Sequence, residues 1–134
     1  MTVEVLRYHL HLPHPPGPVC IHSATSFTYD GKHGWDGHPQ TFVITPTIAA
    51  CGSISFMVYG ADNCGVGGCN GGGSTSAVIS VSALPSGTLT IIVGGLPSNS
   101  AGGGGGSFVC SGTVCEYGTV LIAAGGAGGD GTFG

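Results

Sequence analysis

Charge is what this chain has least of. Of its 134 residues 6% are Asp, Glu, Lys or Arg, against roughly 25% in an ordinary globular protein. Arg7 and Lys32 are the only fixed positive charges and the formal net charge is −4. No basic patch is therefore available to neutralise phosphates, and nucleic-acid binding is excluded. There is no apolar run of the length that crosses a bilayer as a helix, so the chain is not expected to span a membrane. The first 20 residues lack the long apolar core and small-residue cleavage site of a secretory signal, so export would rely on a signal removed upstream or on another route. Catalytic signatures are missing as well: there is no Gly-x-x-x-x-Gly-Lys and no Gly-x-Ser-x-Gly. Residues 126–131 satisfy Gly-x-Gly-x-x-Gly, but only three residues follow Gly131, too few for the helix whose N-terminus would meet a dinucleotide pyrophosphate. The chain is not read as an enzyme, and no cofactor is expected. Asn63, Asn70 and Asn99 all fail the Asn-x-Ser/Thr sequon, which leaves the 25 serines and threonines as the sites open to O-linked sugars.

What the chain has in abundance is glycine. There are 28, bunched at residues 65–73, 94–95, 102–106 and 125–134 between short apolar runs. Glycine in regular structure costs roughly 0.5–1 kcal/mol relative to alanine, so such clusters persist where the backbone must approach closer than a Cβ allows or adopt positive φ. Hydrophobic residues make up 41% of the chain, which argues against a disordered tail. Gly65, Gly68 and Gly71, and again Gly125, Gly128, Gly131 and Gly134, recur every third residue. Three is the period of an extended left-handed helix, in which only glycine fits where such chains crowd together. The expectation is a set of polyglycine II-like segments held by backbone and weak Cα–H···O bonds.

Strand patterns lie between the clusters. Residues 2–12 alternate so that Leu6, Tyr8, Leu10 and Leu12 share one face and Val5, Arg7, His9 and His11 the other. A stretch rich in Pro follows, with Pro13, Pro15, Pro16 and Pro18, which cannot donate ladder hydrogen bonds and runs as a stiff spacer. Residues 1–22 are thus expected to form an arm and 23–134 a glycine-rich β domain. The arm folds back, is disordered, or lies along a neighbouring subunit, and the expectation is the last, with Val3, Val5, Leu6, Tyr8, Leu10 and Leu12 as the assembly residues. Residues 23–40 read as loop, with turn signals at Asp30-Gly31 and Asp36-Gly37. Strands are expected at 41–44, 54–59, 77–81, 89–93, 107–110 and 119–124. The fold class is all-β, a compact β-sandwich-like domain carrying the glycine segments.

The six cysteines form an even set. Cys64 and Cys69 flank one tight loop and Cys110 and Cys115 another, leaving Cys20 to reach Cys51. Four residues lie within each close pair, wider than the usual zinc-ligand spacing. An oxidising location, extracellular or on a cell or virion surface, follows. His9 and His11 project from one strand face with His14, Cys20 and His22 nearby and are the weak candidates for a metal site; a polar strand face is the expected role. Asp30, Asp36 and Asp62 lack the alternating oxygen ligands of a calcium loop. Tyr29 and Trp35 are the candidate ligand contacts. Exposed, they would stack on a sugar or partner; buried, Trp35 would plug its loop into the core.

From Thr41 onward the order of features resembles a known family. Phe42-Val43-Ile44-Thr45-Pro46 is followed by Ile54 through Ala61, Gly71-Gly72-Gly73-Ser74, Leu89-Thr90-Ile91-Ile92-Val93-Gly94-Gly95, the 102–106 glycines with Ser107-Phe108-Val109, and Leu121 through Gly126. This order is similar to the glycine-rich domains of bacterial and phage surface and fibre proteins, and more distantly to the extracellular glycine-rich domain of the anaplastic lymphoma kinase and leukocyte tyrosine kinase receptors. The resemblance implies a β-sandwich-like scaffold with packed glycine helices, used in adhesion, receptor binding or fibres, and it implies no catalytic residues. Where the family commonly has Gly-Ala-Gly-Gly-Gly, this chain has Gly60-Ala61-Asp62-Asn63-Cys64. The function expected is an extracellular structural protein, a self-assembling subunit of a filament or surface fibre. The alternative is an adhesin or tail-fibre module binding a glycan or surface receptor.

Overall fold

The computed structural model of the chain describes residues 2–7, 23–29, 38–65, 68–96 and 102–129. The described chain is all-β, with antiparallel pairing throughout. Ten strands run in order β1 (Thr2–Arg7), β2 (Ala24–Thr28), β3 (Gln40–Val43), β4 (Ser53–Tyr59), β5 (Asn63–Gly65), β6 (Gly68–Asn70), β7 (Ser74–Ser80), β8 (Thr88–Ile92), β9 (Ser107–Ser111) and β10 (Val120–Ala124). One four-stranded sheet has the order β2-β1-β4-β7, a second the order β10-β9-β8-β3, and β5-β6 is a separate hairpin.

The strands expected from the apolar runs are present, with ends displaced by at most three residues. Alternation accounts for most of β4, where Ile54, Phe56 and Val58 are wholly buried while Ser53, Met57 and Tyr59 are half-exposed; Ser55, on the other face, is buried as well. Both large sheets contribute to one core. Phe27, Ile54, Phe56 and Val58 come from the first; Phe42, Leu89, Ile91, Val109, Ile122 and Ala124 come from the second. The register slips between Val120 and Ile122. This bulge brings consecutive residues to the core, Ile122 buried and Leu121 packed beside it, where an unbroken strand would send one of them outward. At one corner between the sheets, Gln40 Nε2 donates to the Thr28 carbonyl at 2.8 Å and the Phe27 and Phe42 rings meet edge to face.

Three elements depart from expectation. Residues 24–28, read as loop, form β2, although only Phe27 of its five residues is buried. Its pairing with β1, from Thr2↔Thr28 to Leu6↔Ala24, makes it a strand, and that partner is invisible in the local pattern. The helical turn α1 (Pro46–Ala49) begins with the Thr45 hydroxyl accepting from Ile48 N at 3.3 Å and Pro46 in the first turn, a start signal that residues 45–46 carry plainly. Gly65 and Gly68 are directly opposed across the β5–β6 ladder, so this threefold spacing belongs to a hairpin rather than to a glycine helix.

β1 is the part of the expected arm that lies among the described residues. β1 lies inside the first sheet of its own chain, bonded to β2 on one side and to β4 on the other, where Val3, Val5 and Leu6 stand opposite Val58, Phe56 and Ser55. Tyr8, Leu10 and Leu12 lie outside the described residues.

Candidate functional site

Three features carry the functional argument: the glycine-rich end of the molecule, the edges of the sheets, and the β9–β10 hairpin.

β4, β8 and β10 leave their sheets, and β7 and β9 enter theirs, through segments that hydrogen-bond to one another outside any strand. Gly60 N donates to Gly73 O at 2.8 Å, Ala61 N to Gly105 O at 2.9 Å, Gly73 N to Gly125 O at 2.8 Å, Gly104 N to Ala127 O at 2.8 Å, Gly105 N to Gly95 O at 3.0 Å and Ala127 N to Ala61 O at 2.8 Å. Backbone packs on backbone here. A Cβ on Gly72 would run into the Gly60 carbonyl, on Gly126 into that of Gly104, and on Gly104 into that of Ala61. Positive φ is confined, among the described glycines, to Gly52 and Gly112. Close approach, not left-handed geometry, is thus why glycine is required. The threefold spacing pointed to other positions. Gly125 and Gly128 have open space where a Cβ would stand, and Gly71 meets nothing closer than Asp62 Oδ1 at 3.8 Å.

Two side chains fasten this end. The exposed Asp62 accepts from Gly72 N at 2.9 Å and so fastens the turn. Asn63, fully buried, donates through Nδ2 to Gly128 O at 3.1 Å while its Oδ1 has no protein partner. No group of three or more His, Cys, Asp and Glu able to hold a metal occurs among the described residues; His9 and His11 lie outside them, as do Asp30 and Asp36.

Among the described residues, the outer strands are β2 and β7 in the first four-stranded sheet and β3 and β10 in the second. None contains a charged residue or a proline. β7 is the longest, its seven residues matched without a break to β4 from Ser80↔Ser53 to Ser74↔Tyr59, and its Val78 is 65% exposed.

The hairpin between β9 and β10 is clipped by the Cys110–Cys115 disulfide, with Cα atoms 5.2 Å apart. Cys110 is opposite Thr90 in the ladder, and the Thr90 hydroxyl donates to Gly112 O at 2.7 Å, so the loop folds back over the outer face of the second sheet. Thr119 organises the rest. Its hydroxyl accepts from Glu116 N at 2.9 Å and lies 3.1 Å from Val114 O and 3.0 Å from Glu116 O. On this framework Tyr117 is fully exposed, with Val114 and Val120 exposed nearby in the chain.

Tyr29 is placed differently from an open stacking platform: it packs against the core, and its ring covers Gly95. Trp35 lies outside the described residues. Cys51 is disulfide-bonded, Cys20 is outside the described residues, and Cys64 and Cys69 are directly opposed across β5–β6. Tyr117 was not singled out by sequence reasoning, although its place between a cysteine clip and a strand was a usable signal. No helix among the described residues is long and apolar enough to cross a membrane. No family model matches the chain, and no curated protein or solved structure matches it.

Proposed function

We propose that the protein is an extracellular structural subunit that assembles with copies of itself into a filament or surface fibre. The observation that carries this reading is that, among the described residues, the outer strands of the two four-stranded sheets contain no charged residue. An edge strand presents unpaired N–H and C=O groups, and proteins that remain monomeric guard such edges with lysine, proline, inward charge or bulges. Among the described outer strands only β10 has a bulge. A surface this poor in charge also lacks the like-charge repulsion that keeps copies apart. The disulfides support an oxidising location, and the glycine-rich end is suited to a rigid, polyglycine-like cap on a β-sandwich.

Light scattering and negative-stain microscopy test the reading. Ser76→Lys with Val78→Lys places two charges on the exposed β7 edge; the variant is expected to keep the fold and lose self-association. Equal assembly by this variant and a uniformly monomeric wild type would each count against the reading.

The fully exposed Tyr117 favours a second reading, an adhesive module that contacts a glycan or surface receptor. A tyrosine on a rigid loop offers large amphipathic contact area at low entropic cost. Tyr117→Ala should then abolish retention on a glycan array without changing thermal stability, whereas an array that retains neither form speaks against this role.

A further inference from the structure

The ten described strands contain two charged residues, Glu4 and Arg7, and both are in β1. That placement inverts the usual one. β1 is an interior strand, bonded on both sides, while the edges have no charge. Charge protects a strand during the time it is unpaired, so β1 has the composition of a strand that spends time outside its sheet. The connection that follows points the same way. β1 and β2 are antiparallel neighbours, a relation that a loop of about two to five residues closes. Here sixteen residues, 8–23, join them, four of them proline. A chain of sixteen residues can span at most about 55 Å, well beyond the radius of gyration of about 14 Å expected for a domain of this size. It far exceeds what a hairpin needs and is sufficient to carry β1 to another molecule.

We propose that β1 is exchanged between subunits, filling the slot between β2 and β4 of a second copy of this chain in the register it has in its own. The partner subunit then supplies the strand without which the first sheet is split, since among the described residues β2 has no strand neighbour other than β1. The contacts are the same ten register pairs, five to β2 and five to β4, so exchange replaces each native bond with an identical one. This is the low-cost route to association open to any chain with such a hinge. If each subunit donates forward, the contact is heterologous and propagates as a fibre; reciprocal donation closes a dimer. The inference rests on the self-assembly proposed above and adds to its edge contact a second one, in an interior slot, both being needed for a stable assembly.

Glu4 stands opposite Met57 in the register, at a spacing of about 4.5–5.5 Å between Cα atoms for antiparallel partners, within disulfide range. Glu4→Cys and Met57→Cys are made as separate chains, denatured together, refolded and oxidised, and the products mapped by mass spectrometry. The expected product is a chain-to-chain disulfide between position 4 of one variant and position 57 of the other. A second variant lacking residues 10–19 keeps Cys20 and a hairpin-closing loop but loses the reach; it is expected to fold as a monomer. Assembly of the wild-type chain without the mixed disulfide, or undiminished assembly of the shortened chain, overturns strand exchange while leaving self-assembly through the edges in place. A wild-type chain that stays monomeric at every concentration overturns both.

Discussion

A methyl group added at Gly126 and one added at Gly125 have opposite consequences, although the two positions are neighbours in one glycine cluster. At Gly126 the new Cβ meets the Gly104 carbonyl, while at Gly125 it enters open space. Displacing a main-chain carbonyl that is part of a packed bundle costs about 1–3 kcal/mol or more. A glycine whose φ alanine can adopt gains about 0.4–1 kcal/mol on replacement through loss of unfolded-state freedom. Gly126→Ala is therefore expected to lower the urea midpoint sharply, and Gly125→Ala to leave it unchanged or raise it. The same contrast is expected for Gly72→Ala and Gly71→Ala. The sequence announced that glycine mattered but misplaced the need. Threefold spacing marked Gly71, Gly125 and Gly128, whereas the crowded positions are set by which segments from distant parts of the chain lie against each other.

At the scale of elements, the β9–β10 hairpin shows how a short loop is made rigid. A disulfide closing so small a ring contributes about 2 kcal/mol in the chain-entropy account, and the Thr119 hydroxyl adds bonds worth about 1 kcal/mol each. Thr119→Val should therefore speed amide exchange at Glu116 by roughly tenfold, as measured by NMR, with little change across β8. Replacing Cys110 and Cys115 by serine should release the same loop and lower global stability by about 2 kcal/mol. Strands with their own alternation or dense apolar content, β4, β8 and β9, were legible in the amino-acid pattern. β2 was not, because one buried residue in five makes no pattern and its existence depends on β1. The bulge in β10 was equally hidden, since Leu121 and Ile122 read as an ordinary apolar pair. Tyr117 escaped notice because exposure is a property of the folded loop, at which its place between a cysteine clip and a strand only hints.

For the whole molecule, the two sheets and the glycine-rich end make different demands. The core is conventional: Phe56 is fully buried among residues of both sheets, and Phe56→Ala is expected to cost about 3–5 kcal/mol by calorimetry or denaturant titration. The glycine-rich end buries backbone and holds the sheets together through main-chain hydrogen bonds, as in Gly73 to Gly125 and Ala61 to Gly105. By itself the sequence determined the all-β class, the scarcity of charge, the positions of most strands and the close Cys110–Cys115 pair, because these follow from composition, period-two alternation and short loop closure. Tertiary structure alone decided which glycines are indispensable, that β1 is an interior strand, and which four strands form the edges. Each of these depends on contacts between residues far apart in the chain, and local propensity carries no record of a distant partner.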